Sequence, residues 1–339
     1  MTPVEEKKRQ QDLGIFYTPE VVVDFIYDML NVLKKKEDEE SARWESRKPA
    51  HYPSVIDPAC GEGIFLKKAI QSGFTGYHPR YKVPYIFGAD IDTTVVDRWE
   101  KLSILSLFHG KRENMQKHFY GQNGLLPLPD HHLPYKKKED GLTQFDAVVG
   151  NPPYGGIGVE FGGNLPPNEQ ALLDELFTYE LFQWRARKYK EKQNAQQESL
   201  FVDASPDELP SVSQTDVAKY AQGTPIEVLF MERFIRLAKA GGWIAAIIPD
   251  GILANANAHY VREYIAHATK VLAIVSLPRG TFKHVGTNAK TSILLLQKCA
   301  HAPATWNYPV FLASIETLNK EDFDLLSHSF HSFLYHGKL

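Results

Sequence analysis

Segments rich in β-branched and aromatic residues alternate with helical patterns along most of this chain. Strands are predicted at residues 55–56, Tyr85–Ala89, Phe145–Val149, Trp243–Ile248, Val271–Ser276 and Ser292–Leu296. Helical spacing of apolar residues lies between most of these strands, notably at Thr93–Phe108, Pro225–Lys239 and His259–Ala268. Strands that alternate with helices are typical of an α/β fold, in which helices cover both faces of a mostly parallel sheet.

The chain has 339 residues, a formal net charge of −3 and two cysteines. This length accommodates one large α/β domain with appendages. The chain is not basic as a whole, so any contact with nucleic acid must come from local patches or from a partner. Two cysteines indicate neither a disulfide framework nor a thiolate metal site, and no metal is expected. No stretch reaches the roughly 18 apolar residues of a membrane span, which favours a cytoplasmic protein without a membrane partner.

The first predicted helix runs from Pro19 to about Leu33, where apolar residues recur at helical spacing. Thr18 is its predicted N-cap, and Pro19 is predicted at the first helical position. The charged stretch Lys34–Arg47 indicates a solvated helix end followed by a loop.

Residues 155–223 interrupt the alternation of strands and helices. A connection of this length is uncommon unless it is functional, disordered or separately structured, and we interpret it as an insertion with a helical middle at Asn168–Gln193. It contains a basic and aromatic cluster, namely Trp184, Arg185, Arg187, Lys188, Tyr189, Lys190 and Lys192. Contact with nucleic acid is one interpretation of this cluster. A solvated helix face is favoured, because charge runs usually mark exposed surfaces.

A strand, a glycine-containing loop and a helix follow one another at residues 55–70. Gly61 and Gly63 let the backbone approach a ligand without a Cβ in the way, and the helix N-terminus favours a negative group such as a carboxylate. Leu66 stands where a dinucleotide fingerprint needs its third glycine, which counts against a nicotinamide or flavin enzyme. Asp57 at the loop entrance would repel a pyrophosphate, but it can pair with the α-ammonium of a methionine moiety.

The next strand ends in an acidic segment, Gly88-Ala89-Asp90-Ile91-Asp92. An acid at the tip of the second strand binds ribose hydroxyls in folds of this kind, and Asp90 is the candidate. Asp92 is expected instead to cap the helix that starts near Thr93.

Asn151, Pro152, Pro153 and Tyr154 directly follow the apolar strand segment. Ligands bind at the carboxyl ends of strands in open α/β sheets, so this tetrapeptide is expected at the binding edge. The Asn151 side-chain oxygen and the Pro152 carbonyl can each accept one N–H of an aromatic amine, which favours the tetrahedral nitrogen of a transition state. The prolines fix the direction of that carbonyl, and Tyr154 offers a stacking surface for an extruded base. These residues indicate amine methylation; a proline-rich turn that ends a strand is the structural alternative.

Together these segments resemble the N6-adenine DNA methyltransferases, in particular the methylase domains and subunits of Type I and Type IIG restriction–modification systems. The resemblance rests on Gly14–Pro19, the loop residues Asp57, Ala59, Gly61 and Gly63, the acid Asp90, the tetrapeptide Asn151–Tyr154, and the late segments Gly241–Gly251, Leu277–Phe282 and Lys290–Ile293. It implies a Rossmann-like S-adenosylmethionine-dependent methyltransferase fold with a mostly parallel seven-stranded sheet. It also implies methyl transfer from S-adenosylmethionine to a flipped adenine in double-stranded DNA, within a restriction–modification or related phage-defence system.

The resemblance assigns roles to single residues. Cofactor contacts fall on Phe16, Thr18, Asp57, Ala59, Gly61, Gly63, Asp90, Ile91, Asn123 and Asn151. Catalysis falls on Asn151, Pro152 and Tyr154, and contacts with the substrate base on Pro153, Tyr154 and Phe282. Asn123 departs from the family pattern, in which an acid usually contacts the cofactor adenine at this place.

On this basis residues 1–48 are expected to form an N-terminal helical segment with a cofactor-contacting motif. Residues 49–300 form the catalytic domain, with the insertion at 155–223, and residues 301–339 form a C-terminal extension. Nothing after about Ala300 is large enough for a target-recognition domain, so a specificity subunit or an additional recognition domain is expected to read the DNA. Two alternatives stay open, namely methylation of protein glutamine or RNA guanine-N2, and a cofactor-binding structural subunit of a larger complex.

Overall fold

One mixed sheet organises the part of the chain that the computed structural model describes, which is residues 18–44, 52–96, 99, 103–129, 144–154, 167–187, 189, 213–283, 289–302 and 307–337. Its strands are β1 (Val55–Asp57), β2 (Ile86–Asp90), β3 (Phe119–Gly121), β4 (Phe145–Gly150), β5 (Ala238–Pro249), β6 (Thr269–Ser276), β7 (Thr291–Lys298) and β8 (Phe311–Ser314). The order along the sheet is β3-β2-β1-β4-β5-β7-β6-β8. All neighbours are parallel except at β7, which is antiparallel to both β5 and β6. The carboxyl ends of β1, β2, β3 and β4 therefore share one edge of the sheet.

The mostly parallel α/β architecture is confirmed, but the predicted number of seven strands is wrong. The described residues form eight strands, because β8 joins the sheet edge in parallel with β6. β8 has only four residues, of which Phe311 is buried and Leu312 is exposed. The Phe311 ring packs edge-on against Phe330, with ring centroids 5.3 Å apart. A strand this short leaves too few residues for its alternation to stand out in the sequence.

Helices cover both faces of the sheet. They are α1 (Glu20–Trp44), α2 (Ile64–Gln71), α3 (Thr93–Val96), α4 (Ser103–Leu107), α5 (Arg112–Gln116), α6 (Pro167–Phe177), α7 (residues 180–187), α8 (Gln214–Ala221), α9 (Ile226–Leu237), α10 (Asp250–Ala254), α11 (His259–Ala268) and α12 (Lys320–His336). The bounds of α11 match the prediction, whereas the predicted helix over Thr93–Phe108 is present as the separate helices α3 and α4. Within the described ranges, no helix combines the length and the apolar character needed to cross a membrane.

Strand β4 is buried over its whole length, and its side chains face two separate cores. Ala147 and Val149 belong to a core that contains residues of α1, such as Val22. Val148 belongs to a core that contains residues of α9, such as Phe234. Because packing on both faces holds β4, the residue that follows it has a defined position.

Helix α1 begins at Glu20, one residue later than predicted. The Pro19 carbonyl accepts hydrogen bonds from the N–H groups of Val22 (3.0 Å) and Val23 (3.4 Å). Pro19 therefore precedes the first helical residue, and the predicted N-cap role of Thr18 is wrong. The Thr18 side chain is available for another contact.

The second half of α1 remains helical well past the predicted end near Leu33. Lys34 pairs with Asp38 one turn later at 2.8 Å. Lys36 Nζ donates to the Leu334 carbonyl of α12 at 2.8 Å. Tertiary contact with α12 thus supports the second half of α1, where the charge pattern alone indicated a solvated helix end followed by a loop.

The insertion packs onto the sheet through α6, α7 and α8. The fully buried Glu232 carboxylate of α9 accepts the N–H groups of Glu180 and Leu181 at the start of α7, at 3.0 Å each. The Arg185 guanidinium carbon lies 4.1 Å from the centroid of the Tyr260 ring. The favoured interpretation as a solvated helix face is therefore wrong for Arg185, which packs on aromatic rings. The remaining lysines of the basic and aromatic cluster lie outside the described residues, namely Lys188, Lys190 and Lys192.

Candidate active site

Four polar side chains meet at the shared carboxyl edge of the parallel strands. Asp57 and Asp90 are the last residues of β1 and β2, and Asn151 directly follows β4. Asn123 lies two residues after β3. The pairing of Asp57 with Gly88 and of Asp90 with Gly121 keeps the strand ends level with one another. This edge is where open α/β sheets bind ligands.

The glycine loop from Pro58 to Gly63 takes a shape that requires glycine. Gly61 and Gly63 have left-handed φ angles of 50° and 74°, a region that other residues adopt only with strain. A Cβ on Gly61 would meet no atom within 4 Å, so this backbone borders open space. The Gly61 carbonyl accepts a hydrogen bond from the buried Trp99 indole at 2.8 Å. The hydrogen bond from buried Trp99 therefore fixes the loop, and the Gly61 backbone borders open space.

Asp57 is a buried carboxylate beside this loop. Its Oδ1 accepts the N–H of Ala59 at 3.0 Å. Burial raises the pKa of Asp57 well above its ordinary value, Asp90 raises it further, and the Ala59 hydrogen bond opposes the shift. No cation is among the groups that shift this pKa in the described part of the chain. A cationic ligand group is what would stabilise the ionised form.

Asp90 joins the glycine loop to the turn that follows β2. Its Oδ2 accepts the Gly61 N–H at 2.7 Å, and its Oδ1 accepts the Asp92 N–H at 2.9 Å. Burial raises the pKa of Asp90, and the two backbone hydrogen bonds lower it. Asp92 Oδ1 accepts the N–H of Thr94 at 3.0 Å, so Asp92 caps α3 as the sequence predicts. Ile91 between the two acids is 59% exposed.

Gly150 brings the exit of β4 directly against Asp57. A Cβ on Gly150 would lie 2.6 Å from Asp57 Oδ1, and the φ of Gly150 is 153°. Asn151 follows and is buried, with its Nδ2 donating to Thr18 Oγ1 at 3.2 Å. The start of α1, the end of β4 and the Asp57 carboxylate are therefore in one place.

Tyr154 and Phe282 form an aromatic pair beside Asn151. Their ring centroids are 6.3 Å apart at an interplanar angle of 77°, and both side chains are buried. Burial raises the pKa of the Tyr154 hydroxyl, and the Asn151 side chain opposes that shift. Thr281 donates from its N–H and its hydroxyl to the Pro278 carbonyl, at 3.2 and 2.7 Å, which fixes the turn that carries Phe282. Pro152, between Asn151 and Tyr154, is buried, and Pro153 is half-buried.

Asn123 lies in a turn that touches the glycine loop. Its Oδ1 accepts the Leu125 N–H at 3.0 Å, and the side chain is half-buried. A Cβ on the next residue, Gly124, would lie 1.7 Å from the Pro58 carbonyl oxygen. The turn after β3 and the glycine loop are therefore in direct contact.

The structure brings together most of the residues singled out in the sequence, and it adds three that were missed. Phe16 lies outside the described residues. Tyr27 of α1 is fully buried, and Asp57 contributes to the raised pKa of its hydroxyl. The other two are Trp99 and the buried Arg233 of α9. A polar tip on an otherwise apolar helix face was the available signal for Tyr27; Trp99 and Arg233 had none.

Comparison with known sequences decides the family. The profile of the N-6 DNA Methylase family matches residues 5–203 and 183–322. The chain belongs to the N-6 DNA methylase family. One curated relative of this methylase is Defense against restriction protein B of Escherichia phage P1, 30% identical over 79 residues. That match covers 23% of this chain and 4% of the phage protein.

Solved structures share the fold of this N-6 DNA methylase. A type I restriction–modification methyltransferase subunit from Streptococcus thermophilus is 16% identical with a TM-score of 0.53, over 94% of this chain and 52% of that chain. A putative class I S-adenosylmethionine-dependent methyltransferase from Listeria monocytogenes is 18% identical with a TM-score of 0.51, over 93% of this chain and 71% of that one. The fold is thus that of S-adenosylmethionine-dependent methyltransferases. The methylase spans about half the length of the Streptococcus subunit.

Proposed function

We propose that this N-6 DNA methylase transfers a methyl group from S-adenosylmethionine to the N6 amine of an adenine flipped out of DNA. One observation carries the proposal: Asn151 is hydrogen-bonded to Thr18 at the exit of β4 and directly follows Gly150, which packs against the buried Asp57 carboxylate. An amide suited to an aromatic amine is thereby adjacent to a carboxylate suited to an ammonium group.

The residues at the strand ends fit the cofactor. Asp57 would pair with the α-ammonium of the cofactor, because no cation among the described residues lowers the pKa of this buried carboxyl group. Asp90 would bind the ribose hydroxyls, since each of its oxygens keeps a lone pair beyond the single backbone N–H it accepts. Asn123 would contact the purine ring, and Gly61 would border the ligand without a Cβ in the way. When bound, the cofactor supplies a methyl group activated on a sulfonium.

Asn151 and Pro152 act on the acceptor amine in this mechanism. The Asn151 Nδ2 group donates to Thr18, which orients Oδ1 as the acceptor end of the amide. Oδ1 and the Pro152 carbonyl would each accept one N–H, which would draw the nitrogen lone pair out of the ring and make it available for methylation. As the N–C bond forms, the thioether would leave with the electrons of the broken S–C bond, and the amine proton would pass to solvent. These acceptors favour the tetrahedral transition state over the planar amine. Positioning and polarisation are sufficient, and no covalent enzyme intermediate is needed.

Tyr154 stacks on the flipped base, and Phe282 forms the second wall. The two rings now pack edge to face. A base that stacks on Tyr154 must displace part of that contact, and base–aromatic stacking recovers roughly 1–3 kcal/mol.

The target sequence is read by another component, either a specificity subunit or an additional recognition domain. The net charge of −3 supports this division, because autonomous DNA binding needs a basic surface. Restriction–modification or phage defence is the system in which such a methylase acts.

Deletion and single replacement of the gene in its own cells test this function with every partner present. Three strains carry the wild-type gene, Asn151→Ala and a deletion, and a fourth carries Asn319→Ala as the matched control. Asn319 caps α12 by accepting the Asp322 N–H, far from the proposed chemistry along the chain. Single-molecule sequencing should find a sequence motif that carries N6-methyladenine in the wild type and the control, is unmethylated in the deletion strain and is strongly undermethylated in Asn151→Ala.

Unchanged adenine methylation in the deletion strain would refute the proposed substrate. In that case purified protein with radiolabelled cofactor separates the alternatives, since label would pass to protein or to RNA instead of DNA. Loss of methylation in the deletion strain combined with full methylation in Asn151→Ala would identify the chain as a structural subunit.

A further inference from the structure

A buried guanidinium holds the turn that follows β3. Arg233 of α9 donates from Nε to the Gly124 carbonyl at 2.8 Å, and from Nη2 to the Leu126 carbonyl. Only 2% of the Arg233 side chain is exposed. The turn held in this way contains Asn123 and rests on Pro58 of the glycine loop. Arg233 therefore lies directly behind one wall of the proposed cofactor site.

The surroundings of Arg233 show where its charge is directed. Burial lowers its pKa, opposed by Tyr179 and Glu175. Its nearest carboxylate in the described residues, Glu175 of α6, stands 3.8 Å away and is not in hydrogen-bond contact with it. A buried cation is costly unless it is hydrogen-bonded, and here two of the five N–H donors of Arg233 are directed at backbone carbonyls of one turn. Arg233 therefore acts through its hydrogen bonds to the turn and not through an ion pair with Glu175.

The insertion supports the same turn. The Tyr179 hydroxyl, between α6 and α7, lies 3.5 Å from the Leu125 carbonyl. Three consecutive carbonyls, those of Gly124, Leu125 and Leu126, thus face groups from α9 and from the insertion. The side chain of Asn123 at the front of the turn is the group that the proposed function places against the cofactor purine.

We propose that Arg233 is a positioning residue for the purine of the cofactor, holding the Asn123 turn against the glycine loop. This proposal rests on the proposed function for the identity of the ligand. Arg233 touches neither the methyl group nor the acceptor amine in this scheme. Its loss should therefore lower affinity for adenosine-containing ligands and spare the chemical step.

The test compares Arg233→Met with the matched control Arg236→Met. Arg236 lies one turn later on α9 and contacts Glu175, Glu232, the Thr178 carbonyl and the Tyr179 ring, but its described hydrogen bonds do not reach the turn itself. Calorimetry with S-adenosylhomocysteine and with 5′-methylthioadenosine should show roughly tenfold or greater weakening in Arg233→Met, since two charge-assisted hydrogen bonds are lost. Arg236→Met should bind both like the wild type. In methylation assays, the KM for the cofactor should rise in Arg233→Met while kcat at saturating cofactor stays within about threefold of wild type.

A second variant covers the case in which Arg233→Met does not fold. Gly124→Ala leaves Arg233 in place but puts a Cβ 1.7 Å from the Pro58 carbonyl oxygen, which forces the turn away from the glycine loop. It should weaken both adenosine ligands in the same way. Thermal melting confirms that each variant used is folded.

The outcomes separate this proposal from the proposed function. Wild-type affinity for both ligands in a folded Arg233→Met or Gly124→Ala variant overturns the positioning role alone. A fall in kcat at saturating cofactor with unchanged KM overturns it as well, because it places Arg233 in the chemical step. Failure of the wild type to bind S-adenosylhomocysteine overturns the proposed function, and with it the ligand assigned to this turn.

Discussion

Thr18→Val should lower the rate of methyl transfer without weakening cofactor binding. The substitution keeps the shape of the buried side chain but removes the oxygen that accepts the Asn151 Nδ2 hydrogen bond at 3.2 Å. Asn151 then keeps its place in the chain but loses the contact that orients its amide. The resemblance to the methyltransferase family assigns Thr18 to the cofactor, whereas its hydrogen bond to Asn151 supports a role in orienting the amide that we propose to act on the amine.

The expected size follows from the strength of one hydrogen bond between neutral groups. Such a bond contributes about 0.5–1.5 kcal/mol, which corresponds to a fall in kcat of roughly 2- to 13-fold. Asn151→Ala removes an acceptor that the transition state needs, and comparable losses cost roughly 100- to 1,000-fold. The double variant should equal Asn151→Ala alone, because Thr18 has nothing left to orient.

The assay is a double-mutant cycle on kcat at saturating S-adenosylmethionine, with the cofactor Kd measured separately for each variant. The experiment uses the methylase together with whatever partner its DNA activity requires. Additive losses in the double variant would refute the reasoning, because they would mean that Thr18 acts independently of Asn151. Weaker cofactor binding in Thr18→Val with unchanged kcat would mean that Thr18 acts in cofactor binding and not in orienting Asn151.

Three further perturbations address the rest of the site. Gly150→Ala should lower the free energy of unfolding by about 1–3 kcal/mol and weaken the binding of S-adenosylhomocysteine. The φ of 153° at this position is strained for alanine, and the new Cβ would meet Asp57. Gly223→Ala is the control, because Gly223 has a φ of 70° and a Cβ there would meet no atom within 4 Å. It should lower the melting temperature through backbone strain and keep the wild-type affinity for S-adenosylhomocysteine. Burial raises the folded-state pKa of Asp57 above its unfolded value, so the stability it contributes is complete below the unfolded pKa and lost as pH rises through the folded one. Asp57→Asn should remove that loss in pH-dependent melts, and should abolish the parallel rise in S-adenosylhomocysteine affinity that ionisation of Asp57 causes. Tyr154→Phe should keep most of the methylation rate and Tyr154→Ala should lose roughly 5- to 150-fold, because stacking on a base contributes about 1–3 kcal/mol.

The sequence predicted the parts of the fold that depend on residues close to one another along the chain. The apolar run of β4 ends at Asn151, so local order alone placed the tetrapeptide at a strand end. The capping role of Asp92 could likewise be predicted, because a cap and its helix are neighbours in sequence. Strand β3 was missed, since three residues carry too little alternation to identify a strand.

Contacts between distant segments could not be predicted in this way. Nothing local in the sequence of α1 indicates that Thr18 bonds to Asn151, because that contact depends on how α1 crosses the sheet. The meeting of Tyr154 with Phe282 depends in the same way on the position of β6. The hold of Arg233 on the turn after β3 is also tertiary, and a charged residue in an amphipathic helix ordinarily indicates an exposed face.

The electrostatics of the cofactor edge suit a ligand that carries its own positive charge. Folding buries Asp57 beside a second acid, which raises its pKa and favours the neutral carboxyl until a cation is close to it. An ammonium that reaches Asp57 would stabilise the ionised carboxylate, so binding of such a ligand and loss of the Asp57 proton would be coupled. Ionised Asp57 and Asp90 would also repel phosphates, which would keep the DNA backbone away from the proposed cofactor site.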